Sequence, residues 1–278
     1  MTEPVVQVEN LYFRYPARTD FALEDINLTI EQGEFLAIIG QNGSGKTTLI
    51  KHFNGLLKPT QGKVTICGKG TGNLPTSELA KQVGYVFQNP DHQIFAETVR
   101  DEIAFGPRNL GFPPERIEKN TNLVLEEMAL LDTVGQMPFQ LSRGQRQRLA
   151  VASVLAMEPS ILIIDEPTTG QDWKESTALM ELVRQLNQNG HTCIVTTHNM
   201  NLVSLFVRRV IVMRSARLFM DGQTQDVFRE VGKLLTAGIK PPEVYLLAQQ
   251  LIPGFHPDKP VTPDILADTL SHLSEAAE

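Results

Sequence analysis

Cysteine, tryptophan, surplus positive charge and long apolar runs are all scarce in this chain. Two cysteines and one tryptophan occur in 278 residues. Cys67 and Cys193 both fall in short β-branched runs, residues 64–67 and 192–195. Small thiols pack well in such strands, so core packing is expected over a redox or metal role. The longest apolar runs, residues 35–39 and 161–164, are far too short to span a bilayer, which excludes a membrane-crossing segment in this chain. The first nine residues lack a basic stretch followed by an apolar one, so no secretory leader is expected and a cytoplasmic location is. Lys and Arg number 25 against 32 Asp and Glu, a net charge of −7, where nucleic-acid binding usually needs a basic surface. Internal repeats and low-complexity tracts are missing too.

What remains is an ordinary globular composition, 41% hydrophobic and 21% charged, long enough to bury a large core. Short alternating or apolar runs at 5–8, 26–30, 35–39 and 63–66 read as strands separated by Gly and Pro turns. Residues 46–56 read as a helix. From about residue 90 to 157 the pattern turns helical, with Pro113-Pro114 opening a segment that sets Ile117, Val124, Met128 and Leu131 near one face. A strand at 161–164 follows, then a helix carrying Leu179, Leu182, Val183 and Leu186 that stops at Asn189-Gly190, then a strand at 193–197. That order is a βαβ crossover, hence parallel strands. Residues 209–213 and 217–220 read as a hairpin. Beyond Gly222 lies a helical tail punctuated by Pro241-Pro242, Pro253, Pro257, Pro260 and Pro263, with Thr262 as an N-cap.

The strongest local signal is Gly40-Gln41-Asn42-Gly43-Ser44-Gly45-Lys46-Thr47, followed by Thr48. It lies between an apolar strand and a helix, the context that a phosphate-binding loop requires. Its glycines let successive N–H groups point inward, and the helix N-terminus adds partial positive charge. Lys46 is placed to reach the β- and γ-phosphates and Thr47 to coordinate Mg²⁺, so an anionic nucleotide with Mg²⁺ is expected, and the motif leaves open hydrolysis, transfer to a substrate or signalling. A second signal is Asp165-Glu166 at the end of the strand at 161–164. Asp165 would reach the metal side of the nucleotide, and Glu166 could polarise an attacking water. Taken alone, two acids at a strand end could equally form a solvated turn.

Between these signals stands Leu141-Ser142-Arg143-Gly144-Gln145, and here the chain resembles the ABC ATPase family by its signature motif. The resemblance covers about residues 5–225. It implies ATP with Mg²⁺ as the cofactor pair and an α/β P-loop cassette with a RecA-like parallel-sheet core, an N-terminal antiparallel β-subdomain and a helical subdomain at about 89–157. A small helical extension, residues 226–278, follows as a dimerisation element. Tyr15 looks like the aromatic that stacks on adenine, Gln88 like the Q-loop glutamine that also meets the metal, Asp172 like the D-loop aspartate and His198 like the switch histidine. Ser142, Gly144, Gln145 and Asp172 would then act in trans on a nucleotide held by a second ATPase chain in a head-to-tail dimer. Singly, Tyr15 reads as a half-buried aromatic, Gln88 as a loop amide, Asp172 as a helix N-cap and His198 as a core histidine. Arg146 and Arg148 read as an exposed helix face. Arg143 stands where the family usually has glycine; it could add charge near a γ-phosphate or point to solvent.

Residues 87–95 and 104–111 resemble the energy-coupling factor branch. That branch implies an importer of a vitamin or transition-metal ion with two further partners, an integral transmembrane coupling subunit and a substrate-capture membrane subunit. No nucleic acid is expected, and the motor would sit on the cytoplasmic face of the membrane. Ile94, Phe95 and Phe105 could form the patch that meets coupling helices or could be core. A nucleic-acid or ribosome-associated ABC machine, a P-loop kinase and a non-hydrolysing regulator are the rival classes. The compact acidic cassette disfavours the first, the signature with His198 the second, and Glu166 with His198 the third.

Overall fold

The computed structural model describes residues 4–16, 18–252 and 261–275, with backbone alone at 263 and 272–275. Pro253, Pro257 and Pro260 lie outside the described residues. The first quarter runs β1 (Pro4–Phe13), β2 (Leu23–Glu31), β3 (Phe35–Ile39), α1 (Lys46–Phe53), β4 (Gln61–Ile66) and β5 (Lys69–Gly70). Along β2, Ile26, Leu28 and Ile30 are buried while Asn27 and Thr29 are exposed. That period of two is what a sheet with one wet face produces. β2, β1, β4 and β5 form a four-stranded antiparallel sheet in that order. Cys67 is not in a strand. It occupies the turn after β4 at φ +46° and is half-buried, so only Cys193 is a core thiol.

β3 leaves this sheet because all five of its residues are buried, and a strand apolar on both faces needs cover on both sides. It joins a second sheet completed by later elements. These are α2 (Thr76–Leu79), β6 (Val83–Val86), α3 (Val99–Asn109), α4 (Pro114–Glu127), α5 (Arg143–Leu155), β7 (Ile161–Asp165), α6 (Trp173–Gln188), β8 (Thr192–Thr196), α7 (Met200–Phe206), β9 (Arg209–Arg214) and β10 (Arg217–Gln223). The sheet order is β10-β9-β3-β8-β7-β6, parallel except for the antiparallel edge strand β10. α1 follows β3 directly, so the turn between them lies at the carboxyl ends of the parallel strands, where open α/β sheets bind ligands.

α3, α4 and α5 build a helical layer around Ile103, Val124, Leu125, Met128 and Leu149. α4 starts at Pro114, as expected, and stops at Glu127 because Ala129 takes a left-handed conformation at φ +52°. Leu131 therefore begins a separate short turn and is exposed, while Leu130 takes the buried place. Arg146 is not a free surface charge. It pairs with Asp91 at 2.8 Å and donates to the Leu141 carbonyl, fastening the turn at 90–92 to the start of α5. Phe95 and Phe105 remain exposed and pack edge to face at 4.6 Å, whereas Ile94 is core.

The tail forms α8 (Thr224–Arg229), α9 (Val231–Thr236), α10 (Glu243–Leu251) and α11 (Pro263–Glu275). Phe228, Leu234, Tyr245 and Leu266 join the same hydrophobic cluster as the parallel sheet. The Phe228 and Tyr245 rings meet edge to face at 5.5 Å. Leu247 and Leu251 of α10 stay exposed. Among the described residues no helix is long and apolar enough to cross a membrane.

Candidate functional site

The turn after β3 is held open by backbone geometry that only glycine tolerates. Gly40 sits at φ +154°, and a Cβ on it would lie 2.4 Å from the Met213 carbonyl oxygen and 2.5 Å from Ser44 Oγ. Lys46, the first residue of α1, is 5% exposed and folds back along the turn. Its Nζ donates to the carbonyls of Gly40 at 2.9 Å and Gln41 at 3.2 Å and lies 3.5 Å from His198 Nε2. Burial pushes its pKa down, against the pull of Glu166 and Asp165. Ser44 Oγ is buried beside Gly40 and has no partner. A cavity of about 530 Å³ opens beside the loop, lined by Asn42, Gly43, Gly45, Lys46, Thr47 and Thr48 with Tyr15 and Glu166. Tyr15 lies outside β1 at the cavity mouth, its ring edge-on to Phe13 and its hydroxyl 3.1 Å from Thr48 Oγ1.

Asp165 ends β7 and is 5% exposed, so its charge has to be met by donors. Tyr85 Oη donates to Oδ2 at 2.9 Å, Thr196 Oγ1 to Oδ1 at 2.5 Å, and Thr47 Oγ1 approaches Oδ1 at 3.4 Å. Tyr85 and Thr196 are site residues that the motif reading missed, because they belong to strands flanking β7 and no local pattern marks them. Burial and the adjacent carboxylate push the Tyr85 phenol far up, so it stays a donor. Tyr85→Phe is expected to lower the unfolding free energy by about 1–3 kcal/mol, since a hydrogen bond to a buried carboxylate is lost. Urea denaturation checks this, and an unchanged midpoint and slope would rule the bond unimportant.

Hard oxygen donors such as Thr47 and Asp165 fit Mg²⁺. Among the described residues no group of three or more His, Cys, Asp or Glu could hold a metal. A metal here would share its ligands with a phosphate, which is the usual habit of Mg²⁺. Gln88, expected near the metal, donates from Nε2 to Glu166 Oε2 at 2.8 Å.

Glu166 is the point where the sheet's strand ends converge. Its φ of +46° is a strained conformation for a residue with a Cβ, of the kind that collects at functional sites. Its N–H donates to Thr196, to the carbonyl at 3.0 Å and to Oγ1 at 2.9 Å. Its carboxylate meets Gln88, Thr169 Oγ1 at 3.2 Å and His198 Nε2 at 3.0 Å. His198 is not a core histidine, for its side chain is 44% exposed.

Ser142, Gly144, Gln145 and Asp172 do not reach this cavity. They line another of about 550 Å³ at the starts of α5 and α6. Ser142 Oγ accepts from Gln145 N while Gln145 Oε1 accepts from Ser142 N, a reciprocal cap that fixes the helix start. Asp172 caps α6 through Glu175 N at 2.7 Å, so the N-cap reading holds in this chain.

A profile of the family described as ABC transporter matches residues 23–169. The chain belongs to that family. An ABC relative from Methanocaldococcus jannaschii, named energy-coupling factor transporter ATP-binding protein EcfA, is 41% identical over 249 residues, 89% of each chain. An ABC transporter ATP-binding protein from Caldanaerobacter subterraneus is 49% identical over 247 residues, 89% of this chain. The chain spans only 43% of that relative's length, and 41% and 42% of two Methanosarcina relatives. Among solved ABC structures, cbiO1 from Clostridium perfringens, described as part of the ABC transporter complex cbiONQ, superposes with a TM-score of 0.77 at 34% identity. The match covers 89% of this chain and 99% of that one. The ABC cassette MJ0796, solved as a dimer in a post-hydrolysis state with ADP and Pi, superposes at 0.71 with 31% identity, covering 79% and 98%.

Proposed function

We propose that this chain is the ATP-hydrolysing motor of an ABC importer of energy-coupling factor type, serving a vitamin or a transition-metal ion. The observation that carries the reading is Glu166, held between Gln88 and His198 beside the phosphate loop. A carboxylate so placed can take a proton from water attacking a γ-phosphate, while Lys46 and the loop N–H groups balance the charge that develops. ATP with Mg²⁺ is the substrate pair; Thr47, Asp165 and Gln88 would hold the metal, which would offset the charge of the phosphates, and Tyr15 would stack on the adenine ring. Ser142, Gly144, Gln145 and Asp172, on a separate face, serve a nucleotide bound by a second ATPase chain. ATP closes that dimer, and hydrolysis reopens it.

The equal-length relative named EcfA and the neighbour from the cbiONQ complex favour the energy-coupling branch. The exposed Phe95 and Phe105 pair is the surface offered to an integral transmembrane coupling subunit, with a substrate-capture subunit beyond it. Isolation of the tagged chain from gently solubilised membranes, followed by mass spectrometry, tests this. Recovery of an integral coupling subunit and a small hydrophobic capture subunit is expected. Recovery from the soluble fraction alone, with ribosomal or DNA-repair proteins, would discard transport in favour of a nucleic-acid-associated machine.

A further inference from the structure

Arg143 turns away from the cavity at the start of α5 and crosses to the turn between β7 and α6. Its Nη2 donates to the Thr169 carbonyl at 2.7 Å. The guanidinium lies flat against Gly170: a Cβ on that glycine would fall 2.6 Å from Nη1 and 2.8 Å from Cζ and Nη2. Gly170 has φ +73°. The turn it belongs to is thinly held from within, by Thr169 N to the Glu166 carbonyl and Gln171 N to the Thr168 carbonyl, both 3.3 Å. A turn with long internal bonds and a left-handed glycine needs an outside anchor to keep one conformation.

What that turn positions is Thr169, whose hydroxyl donates to Glu166 Oε2 at 3.2 Å. Glu166 is a three-torsion side chain, and its carboxylate serves as a base only while it is aimed at the attacking water. We propose that Arg143 is a positioning residue for Glu166: it fixes the turn at 167–171 so that the Thr169 hydroxyl holds the carboxylate in place. The signature segment and the candidate base of one chain are thereby joined by two hydrogen bonds, from Arg143 to Thr169 and from Thr169 to Glu166. A shift of the start of α5 is felt at the base of the same chain. This inference rests on the reading of Glu166 as the base of ATP hydrolysis.

The test is steady-state ATPase activity of the full chain, assembled as it is isolated, as Arg143→Met, Arg143→Lys, Thr169→Val and the Arg143→Met/Thr169→Val pair. Arg143 is exposed, so these changes leave the core untouched. Arg143→Met should lower kcat about five-fold, the worth of one net hydrogen bond, with the KM for ATP within about two-fold. Arg143→Lys, which can reach the carbonyl but cannot cover Gly170, should fall between. Because both residues act along one path, the double variant should be no slower than Thr169→Val alone. Parent-like turnover in Arg143→Met, a loss lying wholly in KM, or losses that multiply in the pair would each overturn the proposal. A Glu166→Gln control separates the two levels: if it does not hydrolyse, the base assignment stands whatever the arginine does. If it hydrolyses at the parent rate, the base assignment falls and the positioning role falls with it.

Discussion

Glu166→Gln is expected to bind ATP as the parent does and to lose about a hundred- to ten-thousand-fold in turnover, the usual contribution of a general base. The amide keeps the shape of the carboxylate and an oxygen that can accept from Gln88 and Thr169, the two donors now on Oε2. It cannot take a proton from water. Binding should survive because the phosphate loop, Lys46 and Tyr15 are untouched. Two measurements decide it together: phosphate release, and elution volume in the presence of MgATP, where the variant should accumulate at twice the chain mass. Hydrolysis at the parent rate would mean that another group activates the water.

Lys46→Met is expected to weaken ATP binding by a hundred-fold or more, about 3 kcal/mol, as truncation of one member of a buried charge pair commonly does. Two effects add. The cation that meets the phosphates is lost, and Asp165 and Glu166, whose charges Lys46 now offsets, are left to repel the incoming triphosphate. The desolvation that pushes the lysine pKa down marks a water-poor setting, in which each charge counts for more than at the surface. Titration with a fluorescent ATP analogue reads the loss. Affinity within about three-fold of the parent would show that the loop N–H groups alone hold the phosphates.

The phosphate loop, the two carboxylates and the alternation of strands with helices were legible in the chain. Each depends on residues adjacent in sequence: eight consecutive positions for the loop, one apolar run ending in Asp165-Glu166, one helix stopped by Asn189-Gly190 between two strands. Side-chain periods of two and 3.6 translate such runs into elements without reference to the rest of the molecule. The same locality explains the misreadings. Cys67 continues a β-branched run yet sits in a left-handed turn, and Leu131 continues a helical stripe past the residue, Ala129, at which the helix has ended. Neither chain reversal changes the apolar pattern on which the reading relied.

Who meets whom at the site was decided by tertiary structure. The strand order puts β6, β7 and β8 side by side, and that brings Tyr85 and Thr196 onto Asp165. The segments leaving the same strand ends bring Gln88 and His198 onto Glu166. Arg146 found Asp91, and Arg143 found Thr169, across 55 and 26 positions of chain. A residue's type shows what bonds it can make. Which bonds it does make depends on partners that only the sheet order and the direction of each side chain supply, and these follow from packing the whole core at once.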